Sequence, residues 1–129
     1  MRPWSPEYKG RLEEREISSQ ALVGNVLGDS TSRPLYVYLP PGYDDEPERR
    51  YPSVYVLQGF FGALPAWNHA TNNLRLTYPE MADELFASGG APPCIVVFVD
   101  AWTSLGGSQF VDSPGTGRYH TYQIGRAHV

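Results

Sequence analysis

Residues 33–39 carry the plainest hydrophobic pattern in the chain. Leu35, Val37 and Leu39 alternate with Tyr36 and Tyr38, and Pro40-Pro41-Gly42 stops the run. Strict alternation is strand period. A second β-rich run, Ser53-Val54-Tyr55-Val56-Leu57, has no charge, as an interior strand requires, and ends abruptly in Gln58-Gly59-Phe60-Phe61-Gly62. The most apolar run is Cys94-Ile95-Val96-Val97-Phe98-Val99. It is short and rich in β-branched residues, so it reads as a fully buried parallel strand. Between these runs, Met81, Leu85 and Phe86 recur at helical spacing within residues 78–87, and Gly89-Gly90 supplies the stop. Residues 13–19, polar apart from Ile17 and followed by Ala21-Leu22-Val23, read as an early edge strand. Residues 44–50, DDEPERR, read as a solvated surface turn.

Strand, loop, helix, strand is the signature of a βαβ unit and a parallel sheet. Sites in open α/β sheets lie at the carboxyl ends of the strands. The places to look are therefore the turn from Gln58 to Gly62 and the segment from Asp100 onward.

Composition narrows the class of protein. The 129 residues suffice for one small domain, and 41% apolar with 19% charged residues fits a globular chain. A net charge of −4 offers no footprint for nucleic acid or anionic lipid. No apolar run approaches the roughly 20 residues that span a bilayer. The first ten residues hold no apolar signal segment, and Cys94 is the single cysteine, so a cytoplasmic setting is expected. No metal site or cofactor is expected, because no His, Cys, Asp and Glu cluster has ligand spacing.

The turn after the second run bears most directly on chemistry. A hydrolase that forms a tetrahedral oxyanion needs backbone N–H donors preset around it, and a glycine-bearing turn after a strand can aim one into a cleft. A tight turn that uses glycine only to bend fits the spacing equally well. Asp100 has two readings, an acid gripping a nucleotide ribose or a structural acid capping the next turn. No G-x-G-x-x-G precedes it, which favours the cap. Ser108 follows Gly106-Gly107 but has Phe110 where a nucleophile elbow needs its second glycine, and Ser30 fails the same test. No G-x-S-x-G occurs in the 129 residues. His69, His120 and His128 read as surface or loop residues.

Taken in order, LPPGYD, YPSVYVLQGFFG, a tryptophan, PPCIVVFVDAW and GGSQFVDSPGTGRYHTY resemble the "Putative esterase" family of α/β-hydrolases. That family includes esterase D, enterochelin esterase, feruloyl and acetyl-xylan esterases and the mycolyl-transferring antigens. The resemblance runs from about Arg33 to Tyr122. It implies the N-terminal half of an α/β-hydrolase three-layer sandwich with a mostly parallel sheet. It also implies a serine carboxylic-ester hydrolase acting through an acyl-serine, on a small-molecule or glycan-linked ester. In the family the residue after the turn's first glycine gives an oxyanion N–H, which maps to Phe60. Gln58 stands where relatives carry His or Ser, a departure that leaves the backbone donor intact. Gln58, Gly59, Phe61 and Trp102 become cleft candidates.

The triad order of such enzymes, serine, acid, histidine, places all three members beyond Val129, so the chain alone is expected to be inactive. Rival readings are an acyltransferase of the same family, a non-catalytic carbohydrate- or acyl-binding module, and a nucleotide-binding α/β domain. Residues 123–129 depart from the family pattern. Their back-translation, CAG-ATC-GGA-AGA-GCA-CAC-GTC, reads as sequencing-adapter DNA, so a non-native tail is expected there, with residues 1–122 forming the N-terminal part of one domain. The buried run at 94–99 is expected to lack a strand on one side and to promote self-association.

Overall fold

The computed structural model describes residues 7–59, 62–68 and 76–127. Four strands form the main sheet: β1 (Arg11–Ser18), β2 (Ser32–Leu39), β3 (Ser53–Val56) and β4 (Ile95–Val99), in the order β1-β2-β4-β3. Helix α1 (Tyr78–Ala87) lies between β3 and β4 in the chain. Two short hairpins follow β4, first β5 (Trp102–Thr103) with β6 (Gly106–Gly107), then β7 (Asp112–Ser113) with β8 (Gly117–Arg118). Helix α2 (Tyr119–Ala127) comes last and runs through the start of the segment expected to be a foreign tail.

The expectation of a mostly parallel sheet is corrected. β1 pairs β2 antiparallel, β2 pairs β4 antiparallel, and among the described residues only β3 and β4 run parallel. A parallel pair needs a crossover long enough to return the chain to its starting end, usually a helix. Helix α1 provides it between β3 and β4. Residues 19–31 and 40–52 contain only turns and short 3₁₀ segments, so the chain reverses direction there.

The sheet is covered on both faces, giving three layers. Val97, Val99 and Leu35 pack with Leu22, Ala101, Tyr119 and Tyr122 on one face. Tyr38, Val96 and Phe98 pack with Leu64, Trp67, Ala82 and Phe86 on the other. β4 takes part in both clusters, which is why its sequence is apolar without alternation. It is paired on both sides, by β2 and β3, so the expected gap beside it is not there. Among the described residues the unprotected edge belongs to β3, where Val54 is 48% exposed. β1, at the opposite edge, is blunted by charge: Arg11 Nε lies 2.8 Å from Glu13, and Arg15 Nε also reaches Glu13 at 2.8 Å.

Helix α1 occupies the expected residues. Thr77 caps its N-terminus, the hydroxyl accepting from the Glu80 N–H at 3.3 Å, and Pro79 sits in the first turn. Its end is a Schellman turn: Gly89 takes φ +74°, and the Gly90 N–H donates to the Leu85 carbonyl at 2.9 Å. The buried face differs from the expected one. Phe86 stacks near Tyr38, with ring centroids 6.0 Å apart, but Leu85 is exposed and Asp83 is buried in its stead. The Asp83 carboxylate accepts from the Tyr38 hydroxyl at 2.9 Å and from the backbone N–H groups of Lys9 and Gly10 at 2.9 and 2.7 Å. Paired in this way, the carboxylate can be buried where α1 meets the sheet.

Candidate functional site

The parallel register pairs Ser53 with Ile95 and Val56 with Phe98. The pairing ends there, two residues before Gln58 in one segment and two before Asp100 in the other, so both residues leave the sheet at its carboxyl end. The antiparallel register places Leu35 opposite Val99 and Glu16 opposite Pro34, so Pro34 and Glu16 lie toward that same end of the sheet. A groove of about 320 Å³ lies there, lined by Glu14, Glu16, Pro34, Tyr36, Pro65 and Asp100.

Of the sequence-predicted residues, Gln58 is half-buried and its amide nitrogen is enclosed with no hydrogen-bond partner among the described residues. The Gly62 N–H closes a turn onto the Gly59 carbonyl at 3.0 Å. A side chain at Gly62 would sit 2.6 Å from Gln58 Cβ, so the turn needs glycine there for space; at Gly59 a Cβ would meet nothing within 4 Å. Phe60 and Phe61 lie outside the described residues, as do His69 and His128. Trp102 is 38% exposed, on the first hairpin after β4.

Asp100 is turned inward and buried, and it is held rather than free. Its carboxylate meets Arg33 Nη1 at 3.2 Å and takes the Trp102 backbone N–H, the capping role expected for it. Burial pushes its pKa above the ordinary carboxylate value, with the Arg33 guanidinium pulling the other way. Arg33 is the residue that sequence reasoning missed. Besides Asp100, its Nη1 donates to the Trp102 carbonyl at 2.7 Å, and its Nη2 donates to the Tyr119 hydroxyl at 2.5 Å. The signal was present in the chain. Arg33 shares the inward face of β2 with Leu35 and Val37, and an arginine in phase with a buried apolar stripe must have a partner.

Both rejected serines are occupied by local turns. Ser108 is buried, its hydroxyl accepting from the Phe110 N–H at 3.2 Å, and Ser30 bonds both backbone groups of Ser32. His120 is exposed on α2. Among the described residues no group of His, Cys, Asp and Glu could hold a metal ion, and no helix is long and apolar enough to cross a membrane.

Comparison with curated proteins finds no match. Among solved structures, a ferulic acid esterase superposes with a TM-score of 0.67 at 24% identity, covering 92% of this chain and 41% of its own. A ferulic acid esterase from the anaerobic fungus Anaeromyces mucronatus, solved with ferulic acid, gives a TM-score of 0.50 at 20% identity, covering 94% of this chain and 39% of its own. At these identities the likeness is one of fold, that of the α/β-hydrolase type. The chain spans about two fifths of the length of these structures. The "Putative esterase" family model matches residues 27–123, a span that holds the turn at Gln58–Gly62, the whole of β4 and the two hairpins after it. The chain therefore belongs to the "Putative esterase" family.

Proposed function

We propose that the chain forms the front portion of a serine carboxylic-ester hydrolase. It would supply the oxyanion-binding turn to a nucleophile carried elsewhere in the longer enzyme. The observation that carries this reading is the glycine-closed turn that follows β3 at its carboxyl end, inside the span that matches the esterase family. In the proposed reaction a serine oxygen attacks the ester carbonyl, and the negative charge that develops on the carbonyl oxygen is met by the Phe60 N–H. Collapse expels the alcohol and leaves an acyl-serine, which water then cleaves to the acid. The substrate class is a small-molecule or glycan-linked ester. The 129 residues contain no G-x-S-x-G, so this chain alone should not turn over p-nitrophenyl acetate.

Two substitutions in the longer enzyme test the assignment. Phe60→Pro removes the N–H, and loss of one oxyanion donor typically lowers kcat by about 10²–10³. Phe60→Leu keeps the N–H and much of the apolar bulk, and should cost far less. Thermal melts establish that both variants fold. A folded Phe60→Pro enzyme with near-normal kcat on p-nitrophenyl acetate and methyl ferulate refutes the role, and so does equal damage from Phe60→Leu. The second result would make Phe60 a pocket side chain. A longer gene product without a G-x-S-x-G serine would instead favour the binding-module reading.

A further inference from the structure

Between the end of β4 and the start of α2 the chain forms a strap, residues 101–118, which contains both hairpins. One buried side chain touches it at both ends. Arg33 Nη1 holds Asp100 and the Trp102 carbonyl where the strap begins, and Nη2 holds the Tyr119 hydroxyl where it ends. The guanidinium carbon also lies 5.5 Å from the centre of the Tyr119 ring. A planar fork with several donors can reach acceptors on both sides at once, which an ammonium cannot. A second, outer tie is independent of Arg33: both oxygens of Asp29 accept from the Ser104 N–H, at 3.2 and 3.0 Å.

Within the strap, Gln109 and Phe110 adopt φ of 57° and 54°, the left-handed region that side chains rarely enter. The Ser108 N–H bonded to the Ala101 carbonyl at 3.1 Å and the Phe110 N–H bonded to the Ser108 hydroxyl hold them there. Such conformations persist where surrounding contacts over-determine them. We infer that the strap is a fixed wall at the carboxyl end of β4, not a lid, and that Arg33 is the positioning residue that clasps its two ends. On the esterase reading this wall fixes one side of the cleft, with the exposed Trp102 and Leu105 on its rim. The clasp itself does not depend on that reading.

Hydrogen exchange on the 129-residue chain measures the clasp without any enzyme assay. Arg33→Met should raise exchange about tenfold or more across residues 102–119, while amides in β1, β2 and α1 change less than about twofold. Asp29→Ala should raise it only around residues 104–107. Arg33→Lys, a point charge able to hold one end, should fall between wild type and Arg33→Met. The inference is overturned if the wild-type strap is unprotected, if Arg33→Met loosens α1 and β1 as much as the strap, or if Arg33→Lys matches wild type. Should the methionine variant not fold, the lysine and Asp29 variants decide the matter by the same pattern.

Discussion

Replacing Asp83 by alanine removes a carboxylate that ties three parts of the molecule together. It accepts from Tyr38 on the sheet and from the backbone of Lys9 and Gly10 ahead of β1, while standing on α1. Tyr38 is fully buried, so its hydroxyl would be left with no solvent to turn to, a cost of about 1–3 kcal/mol. The two backbone donors are only partly buried, and water would replace the lost acceptor at about 0.5–1 kcal/mol each. The sum is about 2–5 kcal/mol, a large share of the stability of a domain this size. It should lower the melting temperature by roughly 8–20 °C, at about 4 °C per kcal/mol. Urea denaturation of wild type, Asp83→Ala, Tyr38→Phe and the double variant forms a cycle whose coupling should be about 1–2 kcal/mol. Asp83→Asn, which keeps one acceptor oxygen, should recover part of the loss. The same clasp explains Gly10, where a side chain would lie 2.3 Å from the Leu39 carbonyl oxygen and 2.7 Å from the Tyr38 hydroxyl. An Asp83→Ala loss below about 1 kcal/mol, or a coupling near zero, would refute this account.

Two further outcomes are expected. Burial, reinforced by the hydrogen bond to Asp83 and its charge, raises the Tyr38 pKa well above the ordinary tyrosine value, so the folded state keeps a proton that the unfolded chain loses near pH 10. The stability contributed is therefore full below about pH 10 and falls as pH rises beyond it; urea midpoints between pH 9 and 11 should decline less steeply in Tyr38→Phe, and identical slopes would contradict this. The open β3 edge should let copies of the chain associate, and Val54→Lys should shift sedimentation toward monomer without lowering the melting temperature appreciably, whereas unchanged association would show that contact lies elsewhere.

Much of the fold is written in local pattern. The alternation of Leu35, Val37 and Leu39 determined β2, and the apolar run at 95–99 determined a strand buried on both faces. The stops at Pro40-Pro41-Gly42 and Gly89-Gly90 set element ends through dihedral preference alone. The ordered esterase motifs determined the family, because their combination spans most of the chain. Strand direction was not legible in this way. Two antiparallel pairings and one parallel pairing use strands that look alike in local pattern, and only the reversals at residues 19–31 and 40–52 and the helical crossover between β3 and β4 distinguish them. The partners of the buried polar residues were hidden for a related reason. Arg33 and Asp100 are 67 positions apart, and Tyr38 and Asp83 are 45 apart. Phase with an apolar stripe can mark a charge as buried, but which distant segment supplies its partner is not local information, and burial is favourable only once that partner is in place. Tertiary structure alone decided that Arg33 closes over the carboxyl end of the sheet and that α1 docks through an aspartate.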